Sequence, residues 1–280
     1  MARITAGIAT SHVPAIGAAF DQGRTRDEYW KPVFDAYEWV KRFEDTEEPD
    51  LVILCYNDHA SAMMLDVVPT FALGLAEEFE VADEGWGRRP VPPVIGDPVL
   101  AAHLAEQLVI DNFDLTLMNA LDVDHGLTVP LSLMFGKVEA WPVRVIPLAV
   151  NVTQFPTPSA ERCWHLGEAI RDAVLAYPAD LNVQVWGTGG MSHQLQGERA
   201  GLINPEFDNA FLDKLTADPE ALRQITRLEF LREAGTEGIE LIMWLIMRAA
   251  LGAKVEELNR FYHVPASNTA VGHIVLRPLA

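Results

Sequence analysis

Three histidines of the sequence lie a few residues beyond predicted strands: His12, His59 and His193. Loops that follow the buried strands of an open α/β sheet converge on one crevice, so these imidazoles are expected to approach one another there. Neutral imidazole is a good ligand for zinc, copper, iron and nickel. The pattern therefore indicates a metal site, but it does not separate metal ligands from a catalytic base, and each histidine qualifies for either role.

A carboxylate would complete the set of two imidazoles and one acid that suits non-haem Fe(II) and leaves positions open for O2. Glu240 enters a predicted helix that is apolar nearly all round, where a charge is costly unless it is paired or coordinated. Glu237 is the competing carboxylate, although the attraction of an acid to the start of a helix accounts for it equally well. Zinc and copper accept similar ligands, so a zinc hydrolase stays an alternative.

The elements that position these residues alternate between strands and helices. Leu51–Tyr56 is a continuous apolar run, as expected of a strand that is buried on both faces. Pro98–Asp111 has the pattern of a helix, with Asp97 as its N-cap. Repeated alternation of this kind favours an α/β fold. We predict a single domain over residues 1–280, a three-layer α/β/α structure with a central mixed sheet.

Composition narrows the range of partners and locations. The formal net charge of −19 over 280 residues argues against a nucleic-acid ligand, because phosphate backbones are bound by surfaces rich in lysine and arginine. The longest wholly apolar stretch, Leu241–Met247, is far too short to span a membrane. The first residues lack the apolar core of a signal peptide, and the two cysteines suit a reducing compartment. We expect a cytoplasmic protein with no membrane partner.

Eight segments, spread from the first residues almost to the last, carry a resemblance to a known family. They are TSHVPAIGAA, YNDHASA, PTFALG, ADEGWGRRPVP, DVDHGLTVPL, WGTGGMSHQLQGERAGLIN, EGIELIMWLIMR and FYHVPASNTAVG. In these segments the chain resembles the type II, or class III, extradiol dioxygenases. Among them it is most similar to those that open protocatechuate between carbons 4 and 5.

The resemblance implies a role for five residues of the predicted site. It makes His12, His59 and Glu240 the ligands of a catalytic Fe(II). It makes His193 the general base, in the GGMSH segment, and places His125 of the DHG segment beside the hydroxyl groups of the substrate. The resemblance thereby selects Glu240 over Glu237, a choice that the pattern alone leaves open.

The resemblance also implies a substrate and a partner. Ser267 and Asn268 would hold the ring carboxylate, and Asn57, beside the metal loop, is a weaker candidate for the same site. The expected reaction uses O2 to convert protocatechuate to 4-carboxy-2-hydroxymuconate semialdehyde. Gallate or another carboxylated catechol is the alternative substrate, and a non-catalytic metal-binding relative is the alternative function. Because the sequence ends soon after ASNTAVG, we expect a separate small α subunit in an α2β2 assembly.

Overall fold

The computed structural model describes residues 1–279, apart from the side chain of Pro265. Over these residues the chain forms ten strands: β1 (Arg3–Thr10), β2 (Leu51–Tyr56), β3 (Phe71–Gly74), β4 (Glu78–Phe79), β5 (Val94–Ile95), β6 (Thr116–Met118), β7 (Arg144–Val150), β8 (Asn182–Thr188), β9 (Val255–Ala266) and β10 (Thr269–Pro278). Eight of them form one sheet in the order β6-β3-β7-β2-β8-β1-β10-β9, and β4 pairs with β5 separately.

Helices fill most of the connections between these strands. Within the same residues they are α1 (Pro14–Asp21), α2 (Lys31–Glu47), α3 (Pro98–Ile110), α4 (His125–Phe135), α5 (Ala160–Ala176), α6 (Pro205–Ala217), α7 (Pro219–Arg223), α8 (Arg227–Glu233) and α9 (Leu241–Ala250). A single 3₁₀ turn, Gly238–Glu240, leads directly into α9. None of the helices in the described part of the chain combines the length and apolar character needed to cross a membrane.

The centre of the sheet is a block of four parallel strands, β7, β2, β8 and β1. Strand β10 pairs antiparallel with β1, and β3 pairs antiparallel with β7, so the sheet is mixed, as predicted. Because the four central strands run in the same direction, their carboxyl ends lie at one edge. The residues that follow β1, β2 and β8 therefore emerge side by side.

Two hydrophobic cores cover the two faces of the sheet. In β2, alternate side chains enter opposite cores: Leu51, Ile53 and Cys55 on one face, and Val52 and Leu54 on the other. Helices α3, α5 and α9 pack on the first face, and α1, α2 and α4 pack on the second. The prediction of a three-layer α/β/α structure around a mixed sheet is confirmed.

One predicted helix proved wrong in extent. The helical pattern of Asp218–Arg232 in the sequence predicts one continuous helix, but the segment forms the separate helices α7 and α8. The break lies at Thr226, which caps α8 through a hydrogen bond from the backbone N–H of Glu229, while the Glu229 side chain accepts from the backbone of Thr226. This reciprocal capping box starts a new helix where the periodicity alone suggests continuation.

Glu44 of α2 is a buried acid far from the carboxyl edge of the sheet. It lines a cavity of about 540 Å³ at the amino ends of β2 and β7, together with Trp141 and Arg144. Only 2% of Glu44 is exposed, and within the described structure neither carboxylate oxygen has a hydrogen-bond partner. The nearby Gln184 side chain acts against this effect of burial, but its amide nitrogen has no hydrogen-bond partner in the described structure. Burial therefore raises the pKa of Glu44 to about 8.

Replacing Glu44 by glutamine is expected to stabilise the fold at neutral pH. The unfolded carboxyl titrates near pH 4.3, so between about pH 4.3 and pH 8 the folded chain binds the extra proton and stability falls as pH rises. Because glutamine does not titrate, Glu44→Gln removes this dependence on pH. It adds on the order of 2 kcal/mol to the free energy of unfolding at pH 7. Denaturant unfolding at pH 5 and pH 7 measures it. Glu38→Gln, an exposed change on the same helix, is the control, and equal pH slopes in wild type and Glu44→Gln would contradict the assignment.

Candidate active site

The carboxyl edge of the sheet holds a cavity of about 320 Å³ in which the predicted histidines meet. His12, His59 and His193 enter it from the loops after β1, β2 and β8. His125 enters from the first turn of α4, and Glu240 from the turn before α9. Residues separated by more than 200 positions in sequence therefore line one wall. The three histidines that follow the strand ends thus lie in one cavity, as their positions in the sequence predict.

His12 has one ring nitrogen fixed by the protein and the other left free. Its Nδ1 lies 2.9 Å from the hydroxyl oxygen of Thr188, whose proton is directed to the carbonyls of Gly126 at 3.1 Å and Cys55 at 3.3 Å. A hydroxyl has one proton to donate, so Thr188 accepts from His12 and Nδ1 carries hydrogen. Nε2 then presents its lone pair, and it is buried with no hydrogen-bond partner in the described structure.

His59 is oriented by a buried carboxylate. Asp124, fully buried, accepts from the backbone N–H of His59 at 2.6 Å and from its Nδ1 at 3.0 Å. Burial opposes a charge on this ring, but the carboxylates of Asp124 and Glu240 outweigh it and raise the pKa of His59 to about 10. A divalent cation at Nε2 would supply the positive charge that the proton supplies otherwise.

Glu240 is the carboxylate that reaches both rings. Its Oε2 lies 3.3 Å from Nε2 of His12, and its Oε1 lies 3.7 Å from Nε2 of His59. The Gly190 N–H donates to Oε2 at 2.6 Å. Burial favours the neutral acid, yet the surrounding imidazoles overcome it and hold the pKa of Glu240 well below its ordinary value. Glu237 also lines the cavity, but its carboxylate accepts from the Leu195 N–H and the Thr236 hydroxyl instead.

His193 presents the same kind of free nitrogen as His12. Its Nδ1 lies 2.8 Å from the carbonyl oxygen of Met191, which can only accept, so Nδ1 carries hydrogen. Nε2 faces the cavity and lies 4.0 Å from Oε2 of Glu240. The ring is therefore arranged as a proton acceptor beside the two-imidazole, one-carboxylate group.

His125 offers a second possible donor set. The rings of His12, His59 and His125 bring ligand atoms within 4.8 Å of one another. Glu240 is not a member of that group, because it approaches His12 through Oε2 and His59 through Oε1. The His125 ring lies against the face of His59, with centroids 3.9 Å apart and planes at 31°. A set of three neutral imidazoles would leave the ionised Glu240 beside the metal without a role. The set of His12, His59 and Glu240 supplies a negative charge for the cation as well as donor atoms that lie close together.

These donors fit a divalent metal ion. The unpartnered Nε2 of buried His12 is a lone pair that water cannot easily reach, and an ionised carboxylate stands next to it. The other ring nitrogens of His12 and His59 are held by Thr188 and Asp124, and the Glu240 carboxylate accepts from the Gly190 N–H. Outer hydrogen bonds of this kind orient metal ligands.

The three predicted substrate residues are placed differently. Ser267 and Asn268 form the exposed two-residue turn between β9 and β10, with φ of +56° and +62°. Ser267 lines the cavity, whereas Asn268 is not among its lining residues. Asn57 lies behind the rings: its Nδ2 is 3.0 Å from Nε2 of His59 and 3.3 Å from Oε1 of Glu240. Its contacts are with the candidate ligands, not with the open cavity.

Asp124 is the functional residue that sequence reasoning missed. Asp58, the acid next to His59, instead accepts from the N–H groups of Ser61, Ala62 and Met63 and closes its own loop. Asp124 serves as N-cap of α4, accepting from the Gly126 N–H. An Asp-His-Gly sequence before an apolar run is a helix-start signal that could have located it.

Replacing Asp124 by asparagine is expected to weaken metal binding roughly 10–100-fold, the usual effect of removing a partner that orients a metal-bound histidine. Asparagine caps helices as well as aspartate does, so α4 keeps its start while His59 loses its charged partner. Calorimetric titration with a divalent metal measures the change. Asp97→Asn, at the N-cap of α3, is the matched control, and the same affinity in Asp124→Asn as in wild type would exclude this orienting role.

The chain belongs to a known family of catalytic dioxygenase subunits. The family described as the catalytic LigB subunit of aromatic ring-opening dioxygenase matches residues 6–272. The resemblance to class III extradiol dioxygenases, on which the site assignments rest, is confirmed at the level of the family.

Curated relatives carry related names. Gallate dioxygenase of Pseudomonas putida is 44% identical over 196 residues, which cover 70% of this chain and 57% of that protein. A 2,3-dihydroxyphenylpropionate/2,3-dihydroxicinnamic acid 1,2-dioxygenase 2 of the same species is 33% identical over 66% of this chain and 55% of its own length. The chain thus spans little more than half of these two relatives. A similarly named enzyme of Mycolicibacterium gilvum is 28% identical, with 90% of this chain and 91% of that protein covered.

A solved structure shares the fold. An uncharacterized protein from Escherichia coli K12 superposes with a TM-score of 0.60 at 12% sequence identity, over 97% of this chain and 99% of that one. At this identity the likeness supports the architecture alone.

Proposed function

We propose that residues 1–280 form the catalytic domain of an extradiol dioxygenase, which uses Fe(II) and O2 to open the ring of a carboxylated catechol. One observation carries the proposal. Two imidazole Nε2 atoms, of His12 and His59, and the ionised carboxylate of Glu240 share a cavity wall with a further ring acceptor on His193. Fe(II) bound there would supply open positions for the catechol oxygens and for O2.

The protein's own contribution is to position groups and move protons. The Nε2 atom of His193 is placed to accept a proton from a substrate hydroxyl, because its Nδ1 is already engaged by Met191. His125 lines the same cavity and can contact the second hydroxyl. Thr188, Asp124 and Gly190 hold the ligand side chains in their orientations, so little rearrangement is needed when substrate arrives.

We propose gallate as the preferred substrate. The motifs of the sequence favoured protocatechuate, whereas the 44% identical relative is named gallate dioxygenase, which supports the alternative. Both compounds are carboxylated catechols and differ by one ring hydroxyl. Either would place two adjacent hydroxyls toward the histidines and a carboxylate toward the Ser267 turn, which lies at the cavity.

A small α subunit in an α2β2 assembly remains part of the proposal. Four large apolar side chains are exposed: Met64 and Leu65, in the loop after β2 that also carries His59, and Trp86 and Leu195. Leu195 lines the cavity itself, and Trp86 lines an adjoining cleft that also contains His125. Exposed apolar groups around a site suit a covering partner that excludes water. We also propose a cytoplasmic location, with which the free thiols of Cys55 and Cys163 agree.

Oxygen consumption tests the proposed function. The full chain is purified anaerobically, loaded with Fe(II), and given gallate, protocatechuate or unsubstituted catechol, with and without a small partner subunit. We expect one molecule of O2 per ring opened, and the highest kcat/KM with gallate. A higher kcat/KM with protocatechuate would instead support protocatechuate, the substrate that the sequence motifs favour. No uptake with any of them would favour the metal-binding relative without this activity, and ester or amide hydrolysis by the zinc-loaded chain would favour a hydrolase.

Replacing Ser267 by glycine is expected to raise KM about tenfold for gallate and protocatechuate, and to change KM for catechol little. A hydrogen bond to a charged group contributes ~1.5 kcal/mol, which corresponds to that factor. The Ser267 backbone N–H donates to the Tyr29 hydroxyl, which leaves the side chain for a ligand. Glycine suits the φ of +56°, so the substitution removes the hydroxymethyl side chain without straining the turn. Steady-state kinetics measures it, and equal KM changes for all three compounds would remove the carboxylate-binding role.

A further inference from the structure

We propose that Glu84 is the positioning residue of His125: its carboxylate fixes the hydrogen on Nδ1 and thereby leaves Nε2 as the nitrogen that meets the substrate. The inference rests on the proposed function and assigns a role to the first residue of Glu84–Pro98, a segment rich in proline and glycine. Glu84 would act through His125 without touching the reacting atoms.

The backbone brings the two residues together. Val81 and Val123 form a parallel bridge. On either side of it, the Ala82 N–H donates to the Val123 carbonyl at 2.9 Å, and the Val123 N–H donates to the Glu80 carbonyl at 2.8 Å. Glu84 follows the bridge by three residues on one segment and His125 by two on the other. Both residues therefore lie just beyond the paired stretch, on neighbouring segments.

The contact between them is close and shielded from water. Oε2 of Glu84 lies 2.5 Å from Nδ1 of His125, and Oε1 accepts from the His125 backbone N–H at 3.0 Å. Both side chains are only 7% exposed. An ionised carboxylate can only accept, so Nδ1 carries the hydrogen. Because His125 also lines the cavity, Nε2 is the nitrogen left for a ligand.

Glu84 and His125, together with Asp124, could be taken for a second metal site. One ligand atom of each residue lies within 4.8 Å of those of the other two. The two carboxylates of this cluster are already engaged. Both oxygens of Glu84 accept from His125, and both oxygens of Asp124 accept from N–H groups of His59 and Gly126. A hydrogen-bonded pair accounts for the cluster without a cation.

The loop that carries Glu84 is built to hold it in place. Oδ1 of Asp83 accepts from the N–H groups of Gly85 and Gly87, each at 2.9 Å. These glycines have φ of +95° and +93°, a conformation that other residues rarely adopt, so the tight turn around Glu84 depends on them. Beyond the turn, Arg89 pairs with Asp21 of α1 at 2.8 Å. The turn is thus fixed on both sides of the carboxylate.

Fixing the hydrogen on Nδ1 has a chemical consequence. A neutral imidazole that lacks a partner exchanges its hydrogen between both nitrogens and can rotate about its bond to the chain. With Glu84 in place, Nε2 meets the substrate hydroxyl in one protonation pattern and one orientation. Glutamine at position 84 could donate to Nδ1 as readily as accept from it, so the pattern would no longer be fixed. We therefore expect an effect on kcat that exceeds the effect on KM.

The test combines a kinetic and a spectroscopic readout. Glu84→Gln is expected to lower kcat for gallate roughly 10–100-fold, as for other partners that orient a functional histidine, and to change KM less than about threefold. In the His125→Gln background the same change should have no further effect on kcat, which couples the two side chains. Glu80→Gln, on the same segment but exposed and paired with Arg88, is the matched control and should retain wild-type kcat.

The spectroscopic readout does not need activity. In the full chain labelled with ¹⁵N-histidine and kept free of metal, the His125 ring is expected to show a protonated Nδ1 and an unprotonated Nε2. Glu84→Gln should give averaged signals, while Glu80→Gln should match wild type. The His125→Gln spectrum assigns the resonances.

The outcomes separate the two proposals. If the wild-type chain consumes no O2, the proposed function fails, and the ring spectrum still decides the role of Glu84. If the wild type is active but Glu84→Gln matches Glu80→Gln in kcat and in spectrum, the positioning role is wrong. Should Glu84→Gln not fold, a wild-type spectrum with hydrogen on Nε2 would overturn the inference, and hydrogen on Nδ1 would support it.

Discussion

Replacing Glu240 by glutamine is expected to weaken divalent metal binding roughly 10²–10⁴-fold, with the fold retained. Glu240 is buried, its Oε2 lies 3.3 Å from Nε2 of His12, and the imidazoles around it keep the carboxyl ionised. Glutamine has the same shape but no charge. Removing one member of a buried, mutually paired set of charges costs ~3–5 kcal/mol, which corresponds to that loss of affinity. Calorimetric titration with Fe(II) under anaerobic conditions measures it.

Glu237→Gln is the matched control for this experiment. Glu237 lines the same cavity and stands three residues earlier, but its carboxylate contacts Leu195 and Thr236. We expect metal affinity within about threefold of wild type, because no charge next to the rings is lost. If Glu237→Gln lost the metal and Glu240→Gln kept it, the choice between the two carboxylates would be reversed.

Replacing His193 by alanine is expected to keep the metal and to lower kcat by roughly 10²–10⁴-fold, the usual contribution of a positioned general base. Nδ1 of His193 is held by the Met191 carbonyl, and Nε2 faces the cavity beside Glu240. Alanine removes the proton acceptor but none of the three donors to the metal. Metal content by elemental analysis and kcat by oxygen uptake give the two readouts on the same sample.

The outcome of that experiment also decides a question that the sequence alone left open. If His193→Ala loses the metal, then His193 is a ligand and the set of His12, His59 and Glu240 is wrong. If it keeps both the metal and most of its kcat, the base lies elsewhere. Addition of imidazole to His193→Ala should restore part of kcat if the cavity admits it, since only the acceptor is missing.

The sequence predicted the parts of the site that follow from strand placement. A continuous apolar run such as Leu51–Tyr56 belongs to a strand buried on both faces, and the ends of neighbouring parallel strands meet. Hence the approach of His12, His59 and His193 needed no further information. The apolar surroundings of Glu240 correctly indicated that its charge would be buried and compensated. Spacing alone did not separate ligand from base.

The side chains that orient the site were harder to predict. Asp124 and Glu84 act across the fold, on His59 and His125, through contacts that depend on how two loops pair. Helix α4 was not predicted, and its prediction would have identified Asp124 as the N-cap. Pro130 lies within it, and proline ordinarily argues against a helix interior. Periodicity reports which face an element buries, but not which loop residue lies beside another.

The central claim is that His12, His59 and Glu240 together hold the metal, and diffraction from iron-loaded crystals tests it most directly. Crystals of the full chain are soaked with Fe(II) without oxygen, and anomalous data are collected on both sides of the iron absorption edge. We predict one strong peak, within coordination distance of Nε2 of His12, Nε2 of His59 and the Glu240 carboxylate. A peak coordinated by His125 or His193 in place of Glu240, or no peak in this cavity, would contradict the account.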